Sequence, residues 1–329
     1  MLMLTRYSGN PIITPRVSDK WYPLKAYNPT VIKVDDRYVM YFRGVGPDWI
    51  SRLMSAESHD GYHFKVGPDP VIIPDAPWEA GGCEDPRLVR VGGHYCLTYT
   101  AFDGATARAA MASSTDLRHW EGRHLLFPEL EHYQRENLPK DWSKAAAIIP
   151  EAIDGWYYLL FGDNHIWPAR SRDLYFWEPS LDPILMNRPG HFDAAYIEMG
   201  PSPIRTNRGW LVIYHGIDEL TQDRTYAIGA ALLDLNDPRK VVWRCEQPIM
   251  VPTETYETIG FIDLVPGGYR ALRSMSLDDI RHLHNGHKLP TAIFCCGAIL
   301  EGNDLRLYYG AADTCIATAT VGFDTILNS

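Results

Sequence analysis

The chain has 329 residues, of which 46% are hydrophobic and 22% charged, and this composition excludes a disordered or low-complexity protein. Its 41 acidic and 31 basic side chains give a net charge of -10, which argues against a nucleic-acid-binding surface, because such surfaces need clustered Lys and Arg. No apolar run is long enough to span a membrane, and no cysteine pair has the CxxC spacing of a metal site. Residues 1–7 lack a signal-peptide pattern, and the six cysteines are expected to be buried thiols, so we predict a cytoplasmic protein.

A repeated unit organises the chain. Each copy opens with a Gly or Asp turn and continues with a short strand rich in Tyr, Val and Ile. A second strand follows, often with Ser-x-Asp and an aromatic residue after it. The five recognisable copies are residues 35–64, 92–120, 154–177, 208–243 and 302–321. No segment sustains the 3.6-residue apolar period of a helix, and short helical turns are expected only near 129–142 and 276–284.

Five such sheet units close most economically into an all-β, five-bladed β-propeller. We therefore predict a single catalytic domain over residues 1–329. A β-sandwich with accidental similarity between its segments is the alternative. The polar stretch 125–142 is expected to form a loop over one face and to shape specificity there.

Propellers bind ligands in a central channel, so polar residues that recur at equivalent points of the units are candidates for the site. One set lies just before the units: Asn28 before the first, Glu84 and Asp85 before the second, Lys144 and Glu151 before the third, and Tyr196, Glu198 and Gly200 before the fourth. A second set lies just past the first predicted strand of each unit: Arg43, Asp103, Asp163, His215 and Asp313. A solvated turn is the alternative for any one member of the second set, but the recurrence favours a ring around one channel.

The segment Glu84-Asp85-Pro86-Arg87 is unusual at a strand entry. In an extended strand the two carboxylates would point to opposite faces, so only one could reach a given cavity. The alternative is a turn in which Asp85 pairs with Arg87. Glycoside cleavage needs an acid to protonate the leaving oxygen and a base or nucleophile opposite it, and carboxylates of different blades can supply both. A buried acid beside other carboxylates would have a raised pKa.

Several segments together resemble glycoside hydrolase family 130: GNPIITP, YNPTVIKVDDRYVMYFRG, SAESHDGYHF, EDPRLVRVGGHYCLTYTAFDG, GPSPIRTNRGWLVIYHG and LYYGAAD. The resemblance covers almost the whole chain and keeps the motif order. This family contains β-mannoside phosphorylases and β-1,2-mannosidases on a five-bladed propeller. The resemblance implies inverting cleavage of a β-mannoside oligosaccharide without a metal or other cofactor. In the phosphorylases of the family, inorganic phosphate would be the co-substrate.

The resemblance also assigns residues. The Asp of EDPR, here Asp85, would be the general acid and would act through a sugar hydroxyl. The positions that match mannose recognition are Asn28, Arg43 or Arg52, Asp313 and, with a weaker match, Asp103.

The second reactant separates two hypotheses. Phosphorylases of the family hold phosphate with basic residues, including a Lys in a KIGxGPPP-like segment and the His of the following YHG. Here Tyr196 takes the place of that Lys, Asp163 lies in a Phe-Gly-Asp segment that replaces the usual Leu-His-Arg, and His215 is retained. Glu198 stands where hydrolytic members carry a Glu that would activate water.

We therefore expect hydrolysis with Glu198 as the base. The alternative is phosphorolysis, with the anion held by His215, Arg108 and Lys144. A further glutamate is expected in hydrolases, and the candidates for it are Glu246, Glu254 and Glu257. A non-catalytic sugar-binding propeller is a third hypothesis, which the EDPR segment disfavours. The sequence leaves open whether the chain forms a homo-oligomer.

Overall fold

The computed structural model describes six ranges of the chain, namely residues 4–16, 18–130, 143–180, 182–218, 225–258 and 292–328. Residues 276–284 lie outside these ranges, and so do residues 131–142 of the stretch expected to form a loop and a helical turn. The predictions made for those residues stay predictions.

The first half of the described chain forms three antiparallel groups of strands. The first group contains β2 (Lys25–Val34), β3 (Arg37–Val45), β4 (Ser51–Ser58) and β5 (Lys65–Val66). The second contains β6 (Gly82–Val91), β7 (His94–Phe102), β8 (Ala107–Ser114) and β9 (Glu121–Leu125). The third contains β10 (Ala147–Ile148), β11 (Tyr157–Phe161), β12 (Trp167–Ser171) and β13 (Glu178–Pro179). One parallel pair, Ser51 with Gly82, joins the first two groups into a larger sheet.

Two more groups complete the described strands. The fourth contains β14 (Tyr196–Met199), β15 (Ile204–Arg205), β16 (Trp210–Ile217), β17 (Tyr226–Leu233) and β18 (Val241–Arg244). The fifth contains β19 (Ile293–Glu301), β20 (Asp304–Ala311), β21 (Cys315–Gly322) and the N-terminal strand β1 (Thr5–Arg6). The short helical segments are a 3-10 turn at Pro77–Glu79 and the helices α1 (Thr255–Thr258) and α2 (Phe323–Leu327). None of the helices within the described ranges is long and apolar enough to cross a membrane.

The hydrophobic core is divided among the groups. Five clusters of buried side chains each join two groups, and they connect the first to the second, the second to the third, the third to the fourth, the fourth to the fifth, and the fifth back to the first. All six cysteines are free and buried within these layers, as the sequence predicted. The described chain is therefore nearly all-β and propeller-like.

The structure adds an inner strand that the repeat analysis did not identify as a strand. Each repeat was expected to contain two strands, but the polar segments before the repeats are themselves β2, β6 and β14, and β10 begins just after Lys144. The inner strands β2 and β6 are buried along most of their length and therefore lack the in-out alternation that identifies a half-exposed strand.

The two ends of the described chain meet in the fifth group. Strand β1 pairs with β21 through Thr5 with Thr320 and Arg6 with Ala319. The Arg6 guanidinium donates to both carboxylate oxygens of Glu257, from Nε at 2.7 Å and from Nη2 at 2.8 Å. Burial raises the pKa of Glu257, but the hydrogen bonds from Arg6, the Thr253 amide and Tyr309 outweigh it, so the pKa lies below its usual range. This buried pair anchors the N-terminal strand.

We expect Glu257→Ala to lower the free energy of unfolding by about 3–5 kcal/mol at neutral pH, because the change leaves the Arg6 charge without its partner. A carboxylate with a lowered folded-state pKa stabilises the fold above its unfolded-state pKa and loses that contribution as the pH falls through the folded-state value. The difference from wild type should therefore shrink in acid. Urea unfolding at neutral and acidic pH measures it. Glu254→Ala, on the exposed start of the same helix region, should change stability by less than about 0.5 kcal/mol; equal losses for both variants would contradict the anchor.

Candidate active site

Two inner strands carry the same irregularity. The register of β2 shifts between Tyr27 and Thr30, and the register of β6 shifts between Glu84 and Arg87. Inside each bulge one residue that precedes a proline has a positive φ, +49° at Asn28 and +48° at Asp85. Asn and Asp enter this region more readily than other non-glycine residues, and a bulge re-aims the side chains around it. As a result the Asn28 amide donates from Nδ2 to Oδ1 of Asp85 at 2.8 Å.

One guanidinium binds both carboxylates of the EDPR segment. Arg43 donates from Nη2 to Oε1 of Glu84 at 2.6 Å and from Nη1 to Oδ1 of Asp85 at 3.4 Å. It also donates from Nε to the Ser51 hydroxyl at 2.8 Å. The expectation that Glu84 and Asp85 face opposite sides was wrong, because the bulge breaks the alternation of the strand. We call Asn28, Arg43, Glu84 and Asp85 the acid cluster.

Arg87 does not form the ion pair that the turn alternative required. It is 1% exposed and donates to three main-chain oxygens, those of Asp85 at 2.9 Å, Met199 at 2.7 Å and Gly200 at 2.7 Å. These bonds tie the bulge of β6 to the end of β14. Arg87 therefore fixes how the second and fourth groups meet.

The two carboxyls of the acid cluster have opposite pKa shifts. Burial raises the pKa of Glu84, and the charge of Asp85 adds to that rise while Arg43 opposes it. Burial also acts to raise the pKa of Asp85, but Arg43, the Asn28 amide, Arg87 and Lys144 together hold it below its usual range. The sequence-based expectation of a raised pKa at Asp85 was wrong, because these donors outweigh desolvation.

A second cluster, the base cluster, contains Lys144, Asp163, Tyr196 and Glu198. The Lys144 ammonium lies 3.3 Å from Oε1 of Glu198 and 3.7 Å from Oδ2 of Asp163. The Tyr196 hydroxyl donates to Oε2 of Glu198 at 2.8 Å and lies 3.3 Å from Oδ2 of Asp163. Tyr196 and Glu198 are two residues apart on β14, so they project from the same face of that strand.

The electrostatics of the base cluster keep Lys144 charged and raise the pKa of Asp163. Burial lowers the pKa of Lys144, but the charges of Glu198 and Asp163 raise it above its usual range, so Lys144 stays cationic. Burial raises the pKa of Asp163 to about 6, with Glu198 adding to the rise and Lys144 opposing it. Burial and the two carboxylates also raise the pKa of Tyr196, so its hydroxyl remains a donor.

His215 lies next to the base cluster, paired with Glu198 in the register of β14 and β16. Its ring stacks on Phe294 with centroids 3.9 Å apart, and the Cys295 amide donates to Nε2 at 2.7 Å. Burial, together with the charges of Arg87 and Lys144, lowers the pKa of His215 to about 3. The imidazole is therefore neutral, and because Nε2 accepts a hydrogen bond, its proton is on Nδ1. That atom is buried and has no hydrogen-bond partner among the described residues.

The acid and base clusters adjoin each other. Arg87 joins their strands, and the charge of Lys144 acts on Asp85 and on His215. The charge of Asp313, which follows β20, acts on Arg43. The structure thus brings together most of the residues that the sequence singled out: Asn28, Arg43, Asp85, Lys144, Asp163, Tyr196, Glu198, His215 and Asp313.

Three of the predicted residues have other surroundings. Arg52 donates to Asp48 at 2.6 Å and stacks over Trp21, so its fork points along its own hairpin rather than to the carboxylates. Asp103 accepts from the amides of its own turn and pairs with Arg108 at 3.0 Å.

Glu257 belongs to the anchor of Arg6 described above. Of the other glutamates considered, Glu246 pairs with His191 at 3.0 Å and is largely exposed, and Glu254 is exposed. In the described part of the chain, none of these three glutamates contacts the acid cluster or the base cluster.

Sequence reasoning gave no role to Ser51 and considered Arg87 only as an ion-pair partner of Asp85 in a turn. Ser51 carries no signal, because a lone serine inside a strand is common. The signal available for Arg87 was its position inside the EDPR segment. Within the described ranges no group of three or more His, Cys, Asp or Glu side chains is placed to hold a metal ion.

Comparison with known proteins identifies the family. A family model described as β-1,4-mannooligosaccharide phosphorylase, of glycoside hydrolase family 130, matches residues 6–271 and 285–329. The chain belongs to glycoside hydrolase family 130. The resemblance seen in the sequence is thereby confirmed, and the protein is a mannoside-active enzyme of this family. Phosphorylases of the family use phosphate as a co-substrate and need no cofactor.

Individual relatives share most of the chain. It is 31% identical over 333 residues to the 1,2-β-oligomannan phosphorylase of Thermoanaerobacter sp., covering 97% of each protein. A solved structure of the β-1,2-mannobiose phosphorylase from Listeria innocua with β-1,2-mannobiose superposes with a TM-score of 0.79 at 26% identity, covering 99% of both chains. Another solved structure comes from work on family 130 glycoside hydrolases that target β-1,2 mannosidic linkages in Candida mannan. Its TM-score is 0.81 at 28% identity, covering 97% of this chain and 94% of that one.

The acid cluster predicts the effect of removing its cation. Arg43→Gln should raise the pKa values of Glu84 and Asp85 by about 1–3 units, because both carboxylates lose the opposite charge nearest to them. Titration of the carboxyl carbons by NMR, in protein labelled at Asp and Glu, measures the shift. Arg52→Gln is the matched control, since it removes an arginine from the neighbouring strand of the same hairpin. The assignment fails if both variants titrate like wild type.

Proposed function

We propose that this enzyme hydrolyses β-1,2-linked manno-oligosaccharides with inversion, using Asp85 as the general acid and Glu198 as the general base. The observation that carries the proposal is the base cluster, in which a buried carboxylate, Glu198, is held by Lys144 and Tyr196 beside a second carboxylate. We also propose that the five groups of strands are the blades of one five-bladed propeller domain. The cyclic succession of the five core clusters supports that closure.

The acid cluster has the parts that sugar recognition needs. Oδ1 of Asn28 is a buried acceptor with no hydrogen-bond partner in the described part of the chain, and a sugar hydroxyl can satisfy it. Arg43 and Asp313 supply further polar contacts at the same point. The names of the relatives, which specify β-1,2-mannobiose and 1,2-β-oligomannan, support this choice of substrate class.

In the proposed reaction the acid cluster donates one proton and the base cluster accepts one. Asp85 gives a proton, through a sugar hydroxyl, to the glycosidic oxygen that leaves. Glu198 takes a proton from the water that attacks the opposite side of the anomeric carbon. Asp85 and Glu84 share one guanidinium and titrate as a pair. Bound sugar excludes water from this pair, and desolvation favours its protonated form.

The charge of the base cluster favours water over phosphate. Inorganic phosphate is close to a dianion near neutral pH and needs a site with excess positive charge. Here the one ammonium of Lys144 faces two carboxylates, and His215 is neutral. A phosphate dianion placed at this point would meet Glu198 and Asp163.

Phosphorolysis is the second candidate, and two observations favour it. The sequence relatives reported above are named as phosphorylases. His215 presents a buried N–H at Nδ1 that can donate to an anion as well as to water. In that case the clusters would act on phosphate, and the product would be mannose 1-phosphate.

The two candidates are separated by incubating the purified protein with β-1,2-mannobiose in the presence and absence of inorganic phosphate. We expect free mannose at a rate independent of phosphate. Mannose 1-phosphate formed only when phosphate is present would overturn hydrolysis and establish phosphorolysis. Sugar binding without any turnover on β-1,2-, β-1,3- or β-1,4-linked mannobiose would overturn both and leave a sugar-binding protein.

Two substitutions test the residue roles. Asp85→Asn and Glu198→Gln should each lower kcat for hydrolysis by about 10²–10⁴-fold, because each removes one partner of the proton transfer. Binding of β-1,2-mannobiose, measured by calorimetry, should survive Asp85→Asn. Glu178→Gln removes an exposed carboxylate that pairs with Arg170 and is the matched control. Hydrolysis retained in Glu198→Gln would overturn the base assignment.

A further inference from the structure

One tryptophan beside the acid cluster has an unusual backbone conformation. Trp49 lies in the hairpin that joins β3 to β4, and it is 46% exposed. Its φ is +63°, in the left-handed region that bulky residues rarely enter. This conformation is unfavourable for a residue with a Cβ, and an exposed indole gains little from packing in return. The stability of the fold therefore does not explain a tryptophan at this position.

The hairpin around Trp49 is held in one conformation. The Trp49 amide donates to the Gly46 carbonyl at 2.9 Å. The Ile50 amide donates to Oδ1 of Asp48 at 3.1 Å. Arg52 donates from Nη2 to Oδ2 of Asp48 at 2.6 Å and from Nη1 to the Ile50 carbonyl at 3.0 Å. A ligand that contacts Trp49 would therefore meet a preorganised loop, which reduces the entropy lost on binding.

A neighbouring loop supports the hairpin from outside. The Arg52 guanidinium lies over the Trp21 ring, 5.3 Å from its centroid, and the Lys20 ammonium lies 4.0 Å from the same centroid. The indole N–H of Trp21 donates to Oδ1 of Asp69 at 3.3 Å. Arg52 thus holds the hairpin, a role different from the mannose contact that the family resemblance allowed.

The hairpin lies at the end of β3 and β4 that borders the acid cluster. Val45, the last residue of β3, pairs with Ser51, the first residue of β4. The Ser51 hydroxyl accepts from Arg43 at 2.8 Å and donates to Oε1 of Glu84 at 3.2 Å. Trp49 is two residues from Ser51 along the chain. Among the large hydrophobic side chains that are exposed in the described ranges, it is the one on a hairpin that borders the acid cluster.

We propose that Trp49 forms a distal sugar subsite, in which its indole stacks on the third mannosyl residue of a manno-oligosaccharide. The inference rests on the substrate class of the proposed function and applies equally to hydrolysis and phosphorolysis. One face of a pyranose ring carries C–H groups, and a flat aromatic ring binds such a face by dispersion and by removing both surfaces from water. The acid and base clusters are assigned to the two sugars at the cleaved bond. Trp49 lies outside both clusters, beyond Ser51, so the sugar on it is a further one.

The distal subsite predicts a loss of affinity that depends on chain length. Trp49→Asn should weaken binding of β-1,2-mannotriose about threefold to tenfold, because the third sugar loses its aromatic partner. Binding of β-1,2-mannobiose should be unchanged. Trp49→Phe keeps a smaller ring and should retain part of the trisaccharide binding. Asn enters the left-handed region more readily than Trp, so the thermal unfolding midpoint of Trp49→Asn should equal or exceed that of wild type.

Calorimetry measures the two dissociation constants in Asp85→Asn protein, with and without the change at Trp49, so that neither oligosaccharide is consumed. Steady-state kinetics of Trp49→Asn and wild type, both with Asp85 intact, give a second measurement. The KM for the trisaccharide should rise and the KM for the disaccharide should not. These assays contain inorganic phosphate, so that either reaction can proceed. Phe176→Asn is the matched control, because it removes an exposed aromatic side chain between β12 and β13.

Weaker binding of the trisaccharide alone, without a lower unfolding midpoint, supports the distal subsite. Unchanged trisaccharide binding in Trp49→Asn overturns the subsite and leaves the proposed function intact. An equal loss for both oligosaccharides, or an equal loss in Phe176→Asn, overturns it as well. If neither oligosaccharide binds to or reacts with protein that retains Trp49, the proposed substrate class fails, and the subsite fails with it.

Discussion

The candidate site depends on how one buried guanidinium is satisfied. Arg87 donates to the main-chain oxygens of Asp85, Met199 and Gly200, and so it spans the gap between β6 and β14. A buried charge is tolerated only when its donors find acceptors, and here the acceptors belong to the backbone of two different groups of strands. The acid cluster takes Glu84 and Asp85 from the first of these strands, and the base cluster takes Tyr196 and Glu198 from the second. Their separation is therefore fixed by a contact that uses no catalytic side chain.

The two clusters contain similar residues, but their carboxyl groups have different pKa shifts. In the acid cluster two carboxylates share a guanidinium, and Asn28 adds a neutral donor to Asp85 alone. In the base cluster two carboxylates share an ammonium, and Tyr196 adds a neutral donor to both. The environments push the pKa of Asp85 down and that of Asp163 up, which is the divergence expected where titratable groups take different roles.

The sequence predicted a chain built of strands and most of the residues that meet in the two clusters, because recurrence at equivalent points needs no knowledge of distance. It did not reveal the inner strands, since a strand buried on both faces shows no alternation. It placed Glu84 and Asp85 on opposite faces, because a bulge cannot be read from a strand pattern alone. Arg43 and Arg52 were equally good candidates. Only the fold shows that the partner of Arg43 lies 41 residues further on, whereas that of Arg52 is Asp48 in its own hairpin.

The choice between water and phosphate turns on charge rather than on shape. The neutral tautomer of His215, set by the Cys295 amide, can donate to either reactant, so the retained histidine does not discriminate. Tyr196 and Asp163 do, because a phenol supplies a hydrogen bond without a charge and an aspartate supplies a negative charge. Both leave Lys144 as the one cation in contact with Glu198 among the residues that the structure describes. An anion entering this cluster would have to compete with Glu198 for Lys144, whereas a water molecule needs only an acceptor for its proton.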